Sequence, residues 1–130
     1  MIQKGGGATV AWKFNEREAV FAQIANRLRW DIFSGKYLPD EQIPSVRQIA
    51  SEASVNPNTV QRALYHLEEE GLLYTKGTVG RFVTSDTELI TASKERSQKQ
   101  LVKQLLYEAE SVGITVEELI KYINEEDKAR

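Results

Sequence analysis

The stretch PSVRQIASEASVNPNTVQRALYHLEEEG, residues 44–71, decides the fold. Ser45 stands three residues before Gln48, the spacing at which an N-cap hydroxyl meets the N3 position of a helix. Val46, Ile49, Ala50 and Ala53 then recur at helical spacing, which predicts a helix over 45–53. Asn56 and Pro57 restart the pattern: Asn caps well, and Pro at N1 lacks only an N–H that would be unpaired anyway. Val60, Ala63, Leu64 and Leu67 fall on one stripe of this second helix, and Gly71 supplies a terminating glycine. At roughly 100° per residue, Asn58, Gln61, Arg62 and Tyr65 share the opposite face. Amides and an arginine beyond an Asn-Pro cap are groups that read base edges in a DNA major groove. The two helices therefore predict a helix-turn-helix whose second member does the reading. A plain solvated face is the competing explanation.

The segment after Gly71 favours DNA. Leu72–Lys76 is apolar and aromatic, 77–80 is Gly-Thr-Val-Gly, and the chain returns through Arg81, Phe82 and Val83. This predicts a short β-hairpin directly after the reading helix, with Lys76 and Arg81 flanking its tip. Together they make a winged helix, and a basic tip suits phosphate or minor-groove contact.

Upstream, Met1–Ala8 contains three consecutive glycines and reads as a flexible arm, while alternation of Val10, Trp12 and Phe14 allows an edge strand or a packed arm. Asn15 with Glu18 has capping-box spacing and predicts the start of a long helix. Phe21, Ile24, Ala25, Leu28 and Ile32 form its core stripe and Gly35 closes it. Trp30 and Phe33 fall off that stripe, which predicts either a second contact surface or shielding by the arm. Leu38-Pro39-Asp40 is a turn, and Gln42-Ile43 can add a minimal strand to the wing sheet.

Downstream, Ser85 with Glu88 repeats the capping spacing, and neither proline nor glycine interrupts the chain before Gly113. Leu101, Leu105, Ala109 and Val112 form a stripe widened by Val102 and Leu106. Thr115 and Glu118 cap a last helix whose apolar side is Val116, Leu119, Ile120 and Ile123. Two helices have too little core to stand alone, so their stripe must pack on the first helix, on a second copy, or on both. The expectation is a homodimer built on Trp30, Phe33, Leu101, Leu105, Leu106, Ala109, Leu119, Ile120 and Ile123. The predicted fold class is thus mainly α with a small β-wing: an arm over 1–14, a winged helix-turn-helix domain over 15–85, and a two-helix dimerisation tail over 86–130.

Composition narrows the function. There is no cysteine, one histidine (His66), no phosphate-cradling glycine loop and no metal-spaced carboxylate set, so neither catalysis, a cofactor nor a metal is expected. Glu68-Glu69-Glu70 points in three directions on a helix and reads as a solvated face, and His66 as a surface residue. No apolar run reaches membrane length and no signal core is evident, which predicts a cytoplasmic protein with no membrane partner. Net charge is −2: residues 1–85 carry 10 Lys/Arg against 9 Asp/Glu, and residues 86–130 carry 7 against 10. Bulk charge alone will not hold DNA, so useful affinity needs local arginines and dimerisation.

The blocks Phe21-Ala22-Gln23-Ile24, 28–35, Pro44-Ser45-Val46-Arg47, Asn56-Pro57-Asn58-Thr59-Val60, Glu70-Gly71-Leu72-Leu73 and Gly80-Arg81-Phe82-Val83 together resemble the GntR family of bacterial transcription regulators. The short tail is similar to the YtrA-like subfamily, whose members lack a large effector-binding domain and often sit beside transporter genes. The resemblance implies that Arg47 contacts the backbone or a guanine, and that Asn56, Asn58, Thr59 and Gln61 contact DNA at the head of the reading helix. It also implies that the 77–80 wing approaches the minor groove. Pro57 stands where many relatives carry arginine, and Arg81 replaces the usual threonine, returning a positive charge to the wing. The expected DNA-binding set is Ser45, Arg47, Asn56, Pro57, Asn58, Thr59, Gln61, Arg62, Tyr65, Lys76, Gly77, Gly80 and Arg81.

The expected function is a repressor that occupies a palindromic double-stranded operator as a homodimer. Asn58 and Gln61 can each pair bidentately with adenine, and Arg62 or Arg47 with guanine or phosphate. The competing function is a winged-helix module that binds protein, for which the acidic pI near 5.5 speaks. A small effector would need the crevice around Trp30 and Phe33, where no polar group marks a pocket.

Overall fold

A computed structural model describes residues 12–130. Residues 1–11, with the first part of the expected strand over 9–14, lie outside the described residues. The element order is α1 Val20–Phe33, α2 Val46–Ala53, α3 Pro57–Glu69, β1 Leu73–Lys76, β2 Gly80–Val83, α4 Thr87–Ser111 and α5 Val116–Ala129. This is the mainly helical, winged arrangement that the sequence predicts. The chain divides into two compact units, the first ending at Ala92 and the second beginning at Ser93, inside α4.

In the first unit α3 is the hub on which α1, α2 and β1 pack. Its stripe of Val60, Ala63, Leu64 and Leu67 is buried against Ile24, Ala25, Leu28 and Ile32 of α1 and Ile49 and Ala50 of α2. Each large side chain removed from water here contributes about 1.5–3 kcal/mol. Local chemistry sets the ends of these helices. Ser45 Oγ accepts from the Gln48 N–H at 3.1 Å, and Asn56 Oδ1 accepts from the Asn58 N–H at 2.8 Å. Between them Ser54 takes the left-handed conformation (φ 56°) that turns α2 into α3.

The start of α1 differs from expectation. Asn15 Oδ1 does accept from the N–H groups of Arg17 and Glu18, but the chain turns helical only at Val20. The Gln23 amide reaches back to the Asn15 and Glu18 carbonyls, so the two residues build a separate turn ahead of the helix. No strand forms over 12–14; Trp12 and Phe14 instead pack on the core, as a packed arm would. Phe33 is a second correction. It is 7% exposed and belongs to the core, while Trp30 stays 41% exposed with its ring set edge-on to Phe33.

β1 and β2 pair antiparallel, with Leu73 opposite Val83, Tyr74 opposite Phe82 and Thr75 opposite Arg81. The segment before α2 joins the outer edge of β2: Ile43 N–H donates to the Arg81 carbonyl, Val83 N–H to Glu41, and Asp40 N–H to Val83. Gln42 bridges Phe82, the minimal third strand that the sequence suggests. Gly71 (φ 80°) then connects α3 to the wing.

Past Thr84, the cap of α4 is Asp86 rather than Ser85, since Asp86 Oδ1 accepts from Leu89 N–H at 3.0 Å. In the second unit α5 carries the full reciprocal capping box between Thr115 and Glu118. The backbone and hydroxyl of Thr115, bonded to Glu118, hold that carboxyl below its ordinary range. Of the two tail helices only Ser93 and Ala109 are buried, both on α4.

Candidate nucleic-acid interface

The buried stripe of α3 forces its other face outward, and Asn58, Gln61, Arg62 and Tyr65 are all exposed there. Tyr65 is 59% exposed, far more than packing would leave an aromatic ring. Phe21 of α1 lies beneath this face. The Arg62 guanidinium sits 3.8 Å over its ring, and His66 stacks on it at 5.2 Å between centroids. The phenyl ring holds the guanidinium in place without neutralising its charge. A cleft lined by Val20, Phe21, Asn58, Thr59 and Arg62 opens at the head of the helix. Arg47 on α2 is exposed, and neither Arg47, Arg62 nor Lys76 makes an ion pair among the described residues.

The wing is stiffened from both sides. Tyr74 and Phe82 stack across the strands at 5.7 Å, and Tyr74 OH donates to Asp40 Oδ1 at 3.0 Å. That bond, with some burial, raises the Tyr74 hydroxyl above its ordinary range. Lys76 lies over the Phe82 ring, 5.6 Å from its centroid. At the tip, Gln42 Nε2 donates to the Val79 carbonyl. A Cβ at Gly80 (φ 140°) would fall 2.6 Å from Gln42 Nε2, so a side chain there would displace that amide from the tip.

Arg81 is not the free wing-tip cation that the sequence suggests. Its Nε donates to Glu68 Oε1 at 2.8 Å, and another of its N–H groups donates to Gln61 Oε1 at 3.1 Å. Thr75, opposite Arg81, donates its hydroxyl to the second Glu68 oxygen at 2.6 Å. Burial pushes the Glu68 carboxyl up, but the Thr75 hydroxyl and the Arg81 guanidinium outweigh it and hold the group below its ordinary 4.5. The acidic triplet is therefore not simply solvated. Glu70 is held bidentately by Arg29 of α1, at 2.8 and 2.6 Å, and Glu69, near His66, is the most exposed of the three. The triplet does point three ways, as helical geometry requires. Nothing local to residues 68–70 announces these partners. Strand alternation from buried Val83, however, puts Arg81 on the face turned toward α3.

The family model for "Bacterial regulatory proteins, gntR family" matches residues 21–83, which span α1 to the end of the wing. The transcriptional repressor YtrA of Bacillus subtilis is 30% identical over 107 residues, 82% of each chain. The chain belongs to the GntR family. A GntR-family transcriptional regulator from Listeria monocytogenes matches with TM-score 0.78 and 30% identity, over 86% of this chain and 98% of that one. The DNA-binding domain of AraR, solved in complex with operator ORX1, matches with TM-score 0.51 and 28% identity, over 55% of this chain and 93% of that one. This GntR-family protein is a DNA-binding transcriptional regulator, and the reach of its similarity to YtrA into the tail places it in the YtrA-like subfamily. No helix among its described residues is long and apolar enough to cross a membrane.

Proposed function

We propose that the protein represses transcription by occupying a palindromic operator as a homodimer, with α3 of each copy in a major groove. The observation that carries this reading is the exposed α3 face, where Arg62 is steadied on Phe21 with its charge uncompensated. Asn58 and Gln61 face base edges, while Asn56, Pro57 and Thr59 bring the start of α3 to the backbone. Ser45, Arg47 and Tyr65 flank that contact, and Lys76, Gly77 and Gly80 of the wing lie over the minor groove. Two such helices address half-sites about 34 Å apart, or a multiple of that distance. The dimer is supported by the tail, where Leu101, Leu105, Leu106, Ile120 and Ile123 are exposed in the single chain. Trp30 of the first unit is itself exposed and Leu119 of the tail partly so, whereas Phe33 and Ala109 are already buried. The functional boundary between the winged-helix and tail domains is placed at residue 86, ahead of the point inside α4 where the compact units divide. The role is binding, not catalysis, and it is exercised in the cytoplasm, where promoter DNA lies. Similarity to YtrA makes transporter genes the first targets to examine.

The test is binding to a labelled duplex from the protein's own upstream region against a scrambled duplex, at several salt concentrations. About a thousandfold preference with a steep negative salt slope is expected of an operator-binding regulator. Absence of binding to any duplex at low salt, by a confirmed dimer, would leave protein–protein interaction as the function.

A further inference from the structure

Gln61 is the one amide of the reading face that another side chain already holds. Its partner is Arg81, which has only donors, so the atom of Gln61 turned toward it is the carbonyl oxygen. The amide nitrogen consequently points away, and it has no hydrogen-bond partner among the described residues. Arg81 cannot easily swing aside. Glu68 fixes its Nε at 2.8 Å, Thr75 fixes Glu68, and the Arg81 side chain is only 19% exposed. The usual pairing of glutamine with adenine needs the amide oxygen to accept from N6 while the nitrogen donates to N7. Here the oxygen is turned toward the wing and the N–H donors are the end offered outward. Of the two purines only guanine presents acceptors at both major-groove positions, O6 and N7, whereas adenine sets an N6 donor against them.

We propose that Arg81 is a specificity-setting positioning residue: by turning Gln61 Oε1 toward the wing, it presents the N–H end of Gln61 to the groove and makes it a reader of guanine. Adenine, which the residue type alone suggests, is disfavoured. This rests on the operator-binding reading of the protein. It also gives the arginine a role that does not require it to touch DNA.

Selection of duplexes from a randomised pool, by the wild-type protein and by Gln61→Ala, locates the base pair that Gln61 reads. Guanine at that pair is the expected result; adenine there, or a Gln61→Ala profile identical to wild type, overturns the proposal. Arg81→Met, which frees the amide oxygen, is expected to shift preference toward adenine by about tenfold at that pair alone. The shift should vanish when Gln61→Ala is combined with it, because Arg81 acts through Gln61. A uniform loss of affinity with unchanged base preference would show a merely structural Arg81 and overturn the proposal. Gln61 is exposed and its variant does not depend on the clamp for folding, so the first comparison decides even if Arg81→Met fails to fold. If wild type enriches no sequence at all, the operator-binding reading itself fails.

Discussion

The unit ending at Ala92 and the unit beginning at Ser93 have similar kinds of helix and opposite kinds of packing. In the first, every member of the α3 stripe is covered, and Ile24, Val60, Ala63 and Leu67 are fully enclosed. In the second, Leu101 is 69% and Ile120 55% exposed, although their spacing is as regular as that of any core helix. Amphipathic periodicity therefore says that a face must be covered, but not by what. The first unit covers its faces with its own chain; the second leaves its apolar surface exposed in the single chain.

The largest test of this contrast is truncation within each unit. Leu64→Ala is expected to cost about 2–5 kcal/mol of stability in thermal or denaturant unfolding. Leu101→Ala in a dilute, monomeric sample is expected to stay within about 0.5 kcal/mol of wild type. An equal loss at both positions would break the contrast. If a second copy covers the tail, pairing Leu101→Glu with Leu105→Glu is expected to weaken self-association by at least about a hundredfold, since each buried leucine is worth about 1.5–3 kcal/mol. Sedimentation equilibrium reads this directly, and an unchanged dissociation constant would remove the stripe from the interface.

Helix caps sharpen the same contrast at lower energy. Asn56→Ala and Thr115→Ala remove the same kind of bond, and each is expected to cost about 0.5–2 kcal/mol locally. The first loss should lower the unfolding midpoint of the winged unit, because α3 is its hub. The second should fray α5 and appear as reduced helicity while that midpoint stays fixed. The effect that depends on pH is that of Glu68. Its folded-state pKa is depressed, so its contribution is present above the ordinary 4.5 and is lost as pH falls through the lower folded value. Glu68→Gln is expected to destabilise by about 1 kcal/mol near neutral pH. That difference should shrink to nothing in melts taken progressively below pH 4.5.

The parts of this molecule legible in its sequence are those governed by neighbours along the chain. Ser45, Asn56 and Thr115 act as caps because their partners lie two or three residues away, and the α3 face follows from its buried stripe. The start of α1 is less legible because Asn15 has the bonding of a cap without a helix directly after it; whether the turn continues depends on where Gln23 folds back. Phe33 escapes a wheel drawn from the α1 stripe, which cannot show that the core reaches around the end of the helix. The Arg81–Glu68 and Arg81–Gln61 bonds span 13 and 20 residues, beyond any local pattern. Strand alternation does assign Arg81 to the inner face once Val83 is taken as buried. It cannot say that a carboxylate and an amide wait there.

The strip of chain over 40–43 bonded to the outer edge of β2 has a kinetic consequence. Its bonds interleave, with Asp40 and Val83, Val83 and Glu41, and Ile43 and Arg81 each sharing a donor and an acceptor. None of these amides can reach solvent by lifting one end of the hairpin alone. In hydrogen exchange the amides of Asp40, Ile43 and Val83 are expected to open together, as one cooperative group. The wing then behaves as a graft on the entrance to α2, and the second half of β2 and the strip over 40–43 are expected to share a single opening rate.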